Sequence, residues 1–558
     1  MDISVGAIKE IVKKSPVHQQ YMEKMKKDFE YFERNPIPII TYHMFRRFFD
    51  DGNRNVYERD YYFRRRERLA KCTLLYIVYE EEKYLNMLED VIWTICDEYT
   101  WSLPAHIWGK DFENVGGYRS LIDLFAAETG FALSEIYYLI GDKFSQMLKK
   151  RIEFEVKERI IDAFLNRKNG FGFESAVNNW AAVCAGSVGA AFIYMAQREE
   201  FEQAYPRIKA AMESFLGSYG DDGCCMEGIG YWEYGFGFYT YFGDLLRRYT
   251  DGKIDFFADK KIENIAQFQQ TAILKGCKTI SFSDGFETMS FHQGLARFLA
   301  KEFKSVNVPS QQYAKTPDAD HCFRWAPMVR DFVWMFDAEE IDDNEEKYIY
   351  KENAQWYIKS CKKYVFAGKG GSNDEPHNHN DLGHFIFIND NETALNDLGC
   401  GEYTREYFGA GRYDIVNNAA FGHSIPEING QNQQAGAQYR AYVTEHNENH
   451  FVLQLKEAYD ADGLESFERH FDFNENGVSV TDIFEGDIKT VRERFITKVQ
   501  PQVIGNRVKI GNTTMIFESF VTPAVSSQVY KNHAAQDETV YFIDVHIKDK
   551  NFKVEIIA

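Results

Sequence analysis

No Cys-x-x-Cys pair occurs in the 558 residues, and the nine cysteines are an odd number scattered along the chain. The one adjacent pair, Cys224-Cys225, does not have zinc-ligand spacing, so the pattern reads as free thiols in a reducing compartment. No apolar run approaches the length of a membrane span, and Met1–Glu10 has no apolar signal-peptide core. The expectation is therefore a cytoplasmic protein with no membrane partner, save for a leader trimmed from the sequence. Positive charge is also short: 64 Lys and Arg against 85 Asp and Glu leave a net charge of −21. That balance argues against nucleic acid and anionic membranes as partners. An acidic polymer would need a locally basic cleft. No internal sequence repeat is visible.

Aromatic residues are plentiful, with 46 Phe, 34 Tyr and 8 Trp. Most must be core, and an exposed remainder is suited to stacking on sugar rings. The chain is too long for one ordinary core, so two or three domains are expected. Residues 1–336 read as helical, with apolar residues at helical spacing over Leu69–Val78, Tyr84–Cys96, Ser120–Glu128, Ala132–Ile140, Asp142–Leu165, Trp180–Met195 and Phe201–Phe215. Ala181 to Ala191 is small and apolar on every side, which predicts a buried helix with close neighbours. Paired helices of similar length point to an α/α toroid. After the acidic run Asp337–Glu346, a candidate linker, residues 348–558 read as short strands and turns. Phe385–Ile388 and Thr393–Leu395, Phe467–Phe473 and Val478–Phe484, then Val508–Ile516, Thr539–Ile547 and Phe552–Ile557 predict an antiparallel β-sandwich.

The chemistry concentrates at Pro376-His377-Asn378-His379-Asn380-Asp381. In a strand, residues i and i+2 share a face, so both imidazoles can look into one site. A hairpin over Phe385–Leu395 would bring His379 near Asp397, and Gly422-His423 adds a third imidazole through the loop 398–422. His379, Asp397 and His423 are suitable zinc ligands, leaving His377 for proton transfer. In the helical half, Asn178-Asn179-Trp180 precedes the small-residue helix; one Asn is a natural N-cap, and the other is free at a helix N-terminus, which favours a bound carboxylate. The glycine-rich stretch Asp222–Gly235 can hold Tyr231 or Tyr234 at a cleft edge, although core aromatics would look the same. His106, in Trp101–His106, suits a sugar subsite or a structural role equally. Tyr403, Arg405, Tyr407, Arg412 and Tyr413 could supply local positive charge and aromatic contacts, or form edge salt bridges.

Together, Asn-Asn-Trp at 178–180, the Asp-Gly…Glu-Gly…Gly-Tyr-Trp stretch at 222–232, the His-Asn-His-Asn-Asp block, Asn-Asp-Leu-Gly at 396–399 and Gly-His at 422–423 resemble the heparinase II/III-like polysaccharide lyases, with the related alginate lyases. The match covers about residues 100–440 in the same order. The resemblance implies an incomplete (α/α) toroid followed by an antiparallel β-sandwich. It implies β-elimination on uronic-acid glycans, most of all glycosaminoglycan-type, with 4,5-unsaturated products, and an acidic oligosaccharide or polysaccharide as partner. Asn179 would hold the uronate carboxylate and Tyr231 would face the glycosidic oxygen. His377 would be the second proton-transfer or carboxylate-binding group. Zinc, or manganese, would sit on His379, Asp397 and His423 in a structural or site-organising role. Trp180 and Tyr234 join His106, Tyr403, Arg405, Arg412 and Tyr413 as candidate substrate contacts. Trp180 also marks a departure, because some relatives carry His there as a base, which shifts weight to Tyr231 and His377. A homodimer is compatible with the sequence. The rival readings are a zinc-dependent glycan hydrolase and a non-catalytic protein that binds acidic carbohydrate.

Overall fold

The computed structural model describes residues 3–107, 112–519, 521–547 and 550–558. The chain forms two compact units. The first comprises Met1–Ser218, Trp232–Ala266 and Ser290–Glu340; the second comprises Tyr219–Tyr231, Gln267–Met289 and Ile341–Ala558. Two stretches that precede residue 290 thus fold with the second unit, and one of them ends on Tyr231.

The first unit is helical. Its centre is the helix Asn179–Met195, which packs between Leu124–Ile140 and Arg198–Leu216. The small residues fulfil the role expected of them. A Cβ on Gly189 would stand 2.4 Å from the ring of Phe242, so glycine is what lets that ring close onto the helix. The predicted helices Ser120–Glu128 and Ala132–Ile140 are one helix, Leu124–Ile140, capped by Asp123, whose carboxylate accepts the Ala126 N–H at 2.7 Å. The last part of the glycine-rich stretch Asp222–Gly235 is not a turn but the start of a helix, Ile229–Tyr249, whose residues from Trp232 on belong to this unit.

The second unit holds antiparallel sheets. An eight-stranded sheet runs in the order Tyr442–Asn447, His450–Gln454, Leu464–Asn474, Gly477–Gly486, Asn551–Ile557, Thr513–Phe517, Arg507–Ile510, Gln502–Ile504. A five-stranded meander runs from Lys347–Lys351 to Phe385–Asn389 and Glu392–Leu395, and a four-stranded sheet contains Val491–Thr497 and Asp537–Ile547. Gly477–Gly486 alternates buried and half-exposed positions, as a strand with one wet face must. The core between the sheets is aromatic: Phe366 and Phe385 meet Phe471, while Tyr357 stacks on Phe451 and Phe473. The run Val508–Ile516, read as one strand, is a hairpin, because Gly511 takes a φ of 55° and turns the chain. All nine cysteines are free thiols. Among the described residues no helix is long and apolar enough to cross a membrane.

Candidate active site

Asp284, which no sequence motif marks, is the centre of the site. It lies in the turn Ser281–Gly285, gripped through glycines on both sides. Gly228, with φ of 97°, precedes the helix bearing Tyr231, and a Cβ there would approach Gly285 Cα to 3.0 Å. Gly399, with φ of 59°, would place a Cβ 2.4 Å from the Gly285 carbonyl oxygen, and the Cys400 N–H donates to that oxygen at 3.0 Å. Side chains larger than glycine would push these three segments apart.

The Asp284 carboxylate is fully buried and receives donors on both oxygens. His377 Nδ1 lies 2.5 Å and the Tyr403 hydroxyl 3.1 Å from Oδ2. His379 Nε2 lies 3.1 Å from Oδ1, which also accepts from the Tyr407 hydroxyl and, at 3.4 Å, from Arg412. Burial alone would raise this carboxyl, but the His377, His379 and Arg412 contacts outweigh it and hold Asp284 well below the usual carboxylate range.

His377 does not sit in a strand. Its φ is 58°, in a turn, so the two imidazoles converge by meeting one carboxylate and not by strand alternation. Its ring lies against Tyr231, with centroids 4.3 Å apart and planes at 33°. Burial lowers the His377 pKa, while Asp284 and Glu227 raise it by more, so the net shift is upward. Its Nε2 is 3.4 Å from a Glu227 carboxylate oxygen. The Tyr231 hydroxyl is 2.6 Å from that of Tyr403. Because Tyr403 gives its one proton to Asp284, Tyr231 is the donor to Tyr403. Burial, and then the Asp284 charge, push the phenols of Tyr231, Tyr403 and Tyr407 well above their ordinary range, so all three stay protonated.

His379, Asp397 and His423 come together as their spacing suggested, with one candidate ligand atom from each lying within 4.8 Å of the others. The hairpin Phe385–Asn389 with Glu392–Leu395 delivers the first two, and a 3₁₀ turn at Ala420–Gly422 delivers the third. Hydrogen bonding fixes where the lone pairs point. His423 Nδ1 faces the Ala419 carbonyl at 2.9 Å and must donate, which leaves Nε2 bare. His379 gives its Nε2 proton to Asp284, which leaves Nδ1 bare. Asp397 Oδ1 accepts from the Gly399 N–H at 2.7 Å, and its Oδ2 faces inward. His379 Nδ1, Asp397 Oδ2 and His423 Nε2 are all buried with no hydrogen-bond partner. Three converging unprotonated donors, all buried, fit a divalent cation. Burial, then repulsion from His384, lower the His423 pKa to about 4, which keeps that ring neutral and able to ligate.

Two other acidic groupings do not match this. The carboxylates of Asp28, Glu67 and Asp318 already surround the Lys71 ammonium, and Asp320, beside His321 and Cys322, is paired with Arg324 at 2.8 Å.

Sequence reasoning missed three further residues of the second unit. His384, hidden in an apolar run, accepts the Ser424 N–H on Nδ1 at 2.8 Å, and its Nε2 lies 3.2 Å from Asp397 Oδ2 without a hydrogen bond between them. Arg469, fully buried and paired with Asp482, donates to the carbonyls of Gly383 (3.0 Å) and Ser424 (2.8 Å), tying down both ligand-bearing loops. Phe408 is 52% exposed beside Tyr403 and His377 and offers an apolar face at the site. Arg412 turns inward, donating to Asn378, Tyr407 and Asp284, while Arg405 is exposed and Tyr413 half-buried.

In the first unit, Asn178 is the N-cap of Asn179–Met195, accepting the Trp180 N–H at 3.0 Å, and Asn179 is buried in the first turn. Gly235 lets its helix approach, since a Cβ there would be 3.1 Å from Asn179 Cβ. Trp180 and His106 pack edge-on at 4.8 Å, and His106 Nδ1 is held by Asp123 at 2.7 Å. Tyr234 hydrogen-bonds Glu128, with Arg324 over its ring at 4.3 Å.

No family model matches the chain. No curated protein matches it in sequence either. Solved structures do match it in fold. A heparinase III crystal structure is 14% identical with a TM-score of 0.63, over 90% of this chain and 77% of that one. The heparan sulfate lyase HepC of Pedobacter heparinus is 14% identical at 0.56, over 96% and 87%. The chondroitin AC lyase of Streptomyces coelicolor A3, solved with chondroitin sulphate, is 9% identical at 0.53, over 99% and 79%. What this chain shares with them is the fold, in which a helical N-terminal part is followed by antiparallel sheets.

Proposed function

We propose that the protein is a polysaccharide lyase that cleaves uronic-acid glycans, glycosaminoglycan-type before alginate-type, by β-elimination. The observation that carries the proposal is the close pair of Tyr231 and His377, rings 4.3 Å apart, one bonded through Tyr403 to Asp284 and the other directly. The fold shared with heparinase III, HepC and chondroitin AC lyase supports the same reading.

Elimination needs a base at C5, an acid at O4 and stabilisation of the charge that develops on the uronate carboxylate. Tyr231, kept protonated by burial, is assigned as the acid to the leaving oxygen. His377 donates Nδ1–H to Asp284, so its second nitrogen, Nε2, is the atom assigned to accept the C5 proton. The carboxylate behind the ring then stabilises the imidazolium. Asn179 is assigned the uronate carboxylate, on the strength of its place in the first turn of a buried helix. Phe408 offers a surface for a sugar ring. His379, Asp397 and His423 would hold a divalent metal, zinc before manganese, and when bound it would lock the loop carrying His377. The protein would act on oligosaccharides inside the cell.

A screen of heparan, chondroitin, hyaluronan and alginate fragments, read by the ultraviolet absorbance of a new 4,5 double bond, tests the proposal. Absorbance growing with at least one of them is expected. Glycan binding without any such product would instead favour a non-catalytic carbohydrate-binding protein.

A further inference from the structure

We propose that Asp284 is a positioning residue that fixes, with one carboxylate, which ring nitrogen carries the proton in both His377 and His379. Its part at His377 rests on the lyase reading, and its part at His379 does not.

The two histidines approach the same carboxylate through different atoms, His377 by Nδ1 to Oδ2 and His379 by Nε2 to Oδ1. A carboxylate that already accepts from Tyr403, Tyr407 and Arg412 can only accept from the rings as well. Each ring must therefore present N–H at that contact, and the opposite nitrogen is the one left with a lone pair. At His379 that nitrogen is Nδ1, which faces Asp397 and His423 without any other partner. At His377 it is Nε2. Reversing the His379 tautomer would aim a lone pair at a buried carboxylate, and at His377 the Asp284 contact at 2.5 Å outcompetes the Glu227 contact at 3.4 Å for the proton. The backbone holds this arrangement in place, since Ser283, next to Asp284, and His377 both take a left-handed φ of 58°. Asp284 itself is fully buried, so it acts through the two rings and not on a glycan.

The test is nitrogen NMR of protein labelled with ¹⁵N-histidine and freed of metal by a chelator, with His377→Gln and His379→Gln assigning two of the 14 histidines. In the native chain the His379 ring should carry its proton on Nε2. In Asp284→Asn, whose amide cannot accept from both rings, the Nδ1–H form should appear at His379. Zinc affinity should fall about 10–100-fold, as expected when a residue behind a ligand is lost. The kcat on any glycan turned over should fall about 10²–10⁴-fold with little change in KM, because the lost group holds the base and not the substrate. A native spectrum with the His379 proton on Nδ1 would overturn the inference without recourse to any variant. So would a folded Asp284→Asn with native tautomers and native zinc affinity. Absence of glycan turnover would sink the lyase reading and leave the tautomer and zinc results standing.

Discussion

Each unit buries a carboxylate completely, and the two are handled in opposite ways. In the helical unit Glu135 faces Arg330, both 0% exposed, and accepts from Trp325 and Tyr194 as well. These partners are a guanidinium, an indole and a phenol, with no imidazole among them, and the arrangement ties three helices together. In the sheet unit Asp284 gathers two imidazoles, two phenols and one arginine, and three neighbouring donor atoms are left bare. Unpaired buried atoms occur in both groups, since Arg330 Nε is also bare, but only in the sheet unit do three of them converge within 4.8 Å of one another. The contrast separates a buried charge that holds a fold from one that arranges chemistry.

Four perturbations sharpen that contrast, beginning with the largest. Tyr231→Phe should lower kcat by up to about 10⁴-fold, about 5 kcal/mol of transition-state stabilisation, with thermal stability nearly unchanged. A large loss of melting temperature would mean that Tyr231 belongs with the structural group. Glu135→Gln leaves Arg330 buried without its counter-charge and should cost about 3–5 kcal/mol in denaturant titration, a loss that no metal restores. Zinc added to metal-free protein at about 100 times its Kd should stabilise it by about 2.7 kcal/mol, and His423→Ala should abolish that gain. An equal gain in the variant would move the metal elsewhere.

The smallest effect concerns Glu128, which burial raises from 4.5 to about 7, against the opposing pull of Arg324 and Tyr234. The folded chain then holds a proton there that the unfolded chain has already released. Between pH 5.5 and 7.5 this group should therefore remove about 2 kcal/mol of stability as pH rises. The difference between Glu128→Gln and the native chain should shift in the variant's favour over the same interval. A pH-independent difference would show that Glu128 is ionised throughout.

The convergence of the candidate metal ligands was legible because the chemistry is written in residue types. His377 and His379 lie two apart, Asp397 follows a hairpin whose first strand is a plain apolar run, and His423 follows a glycine. The helix–sheet order was legible from periodicity for the same reason. Asp284 was not, since it stands 93 residues from His377 in a segment without period, and only the folded chain brings them together. His384 was masked by the apolar run that follows it. The start of the helix Ile229–Tyr249 was not legible because it falls in the glycine-rich stretch Asp222–Gly235, which reads as turns. In the structure Gly235 and Gly243 lie where a Cβ would press on Phe215 and Phe257, so close packing explains them.

The central claim is that the site built on Asp284, Tyr231 and His377 eliminates and does not hydrolyse. Mass spectrometry of the fragments from a uronate-containing oligosaccharide tests this most directly. The account predicts that the fragment carrying the cleaved uronate is lighter by one water than its hydrolytic counterpart, and that the native chain forms it while Tyr231→Phe does not. A fragment of full hydrated mass, formed only while metal is bound, would contradict it and place the chemistry on His379, Asp397 and His423.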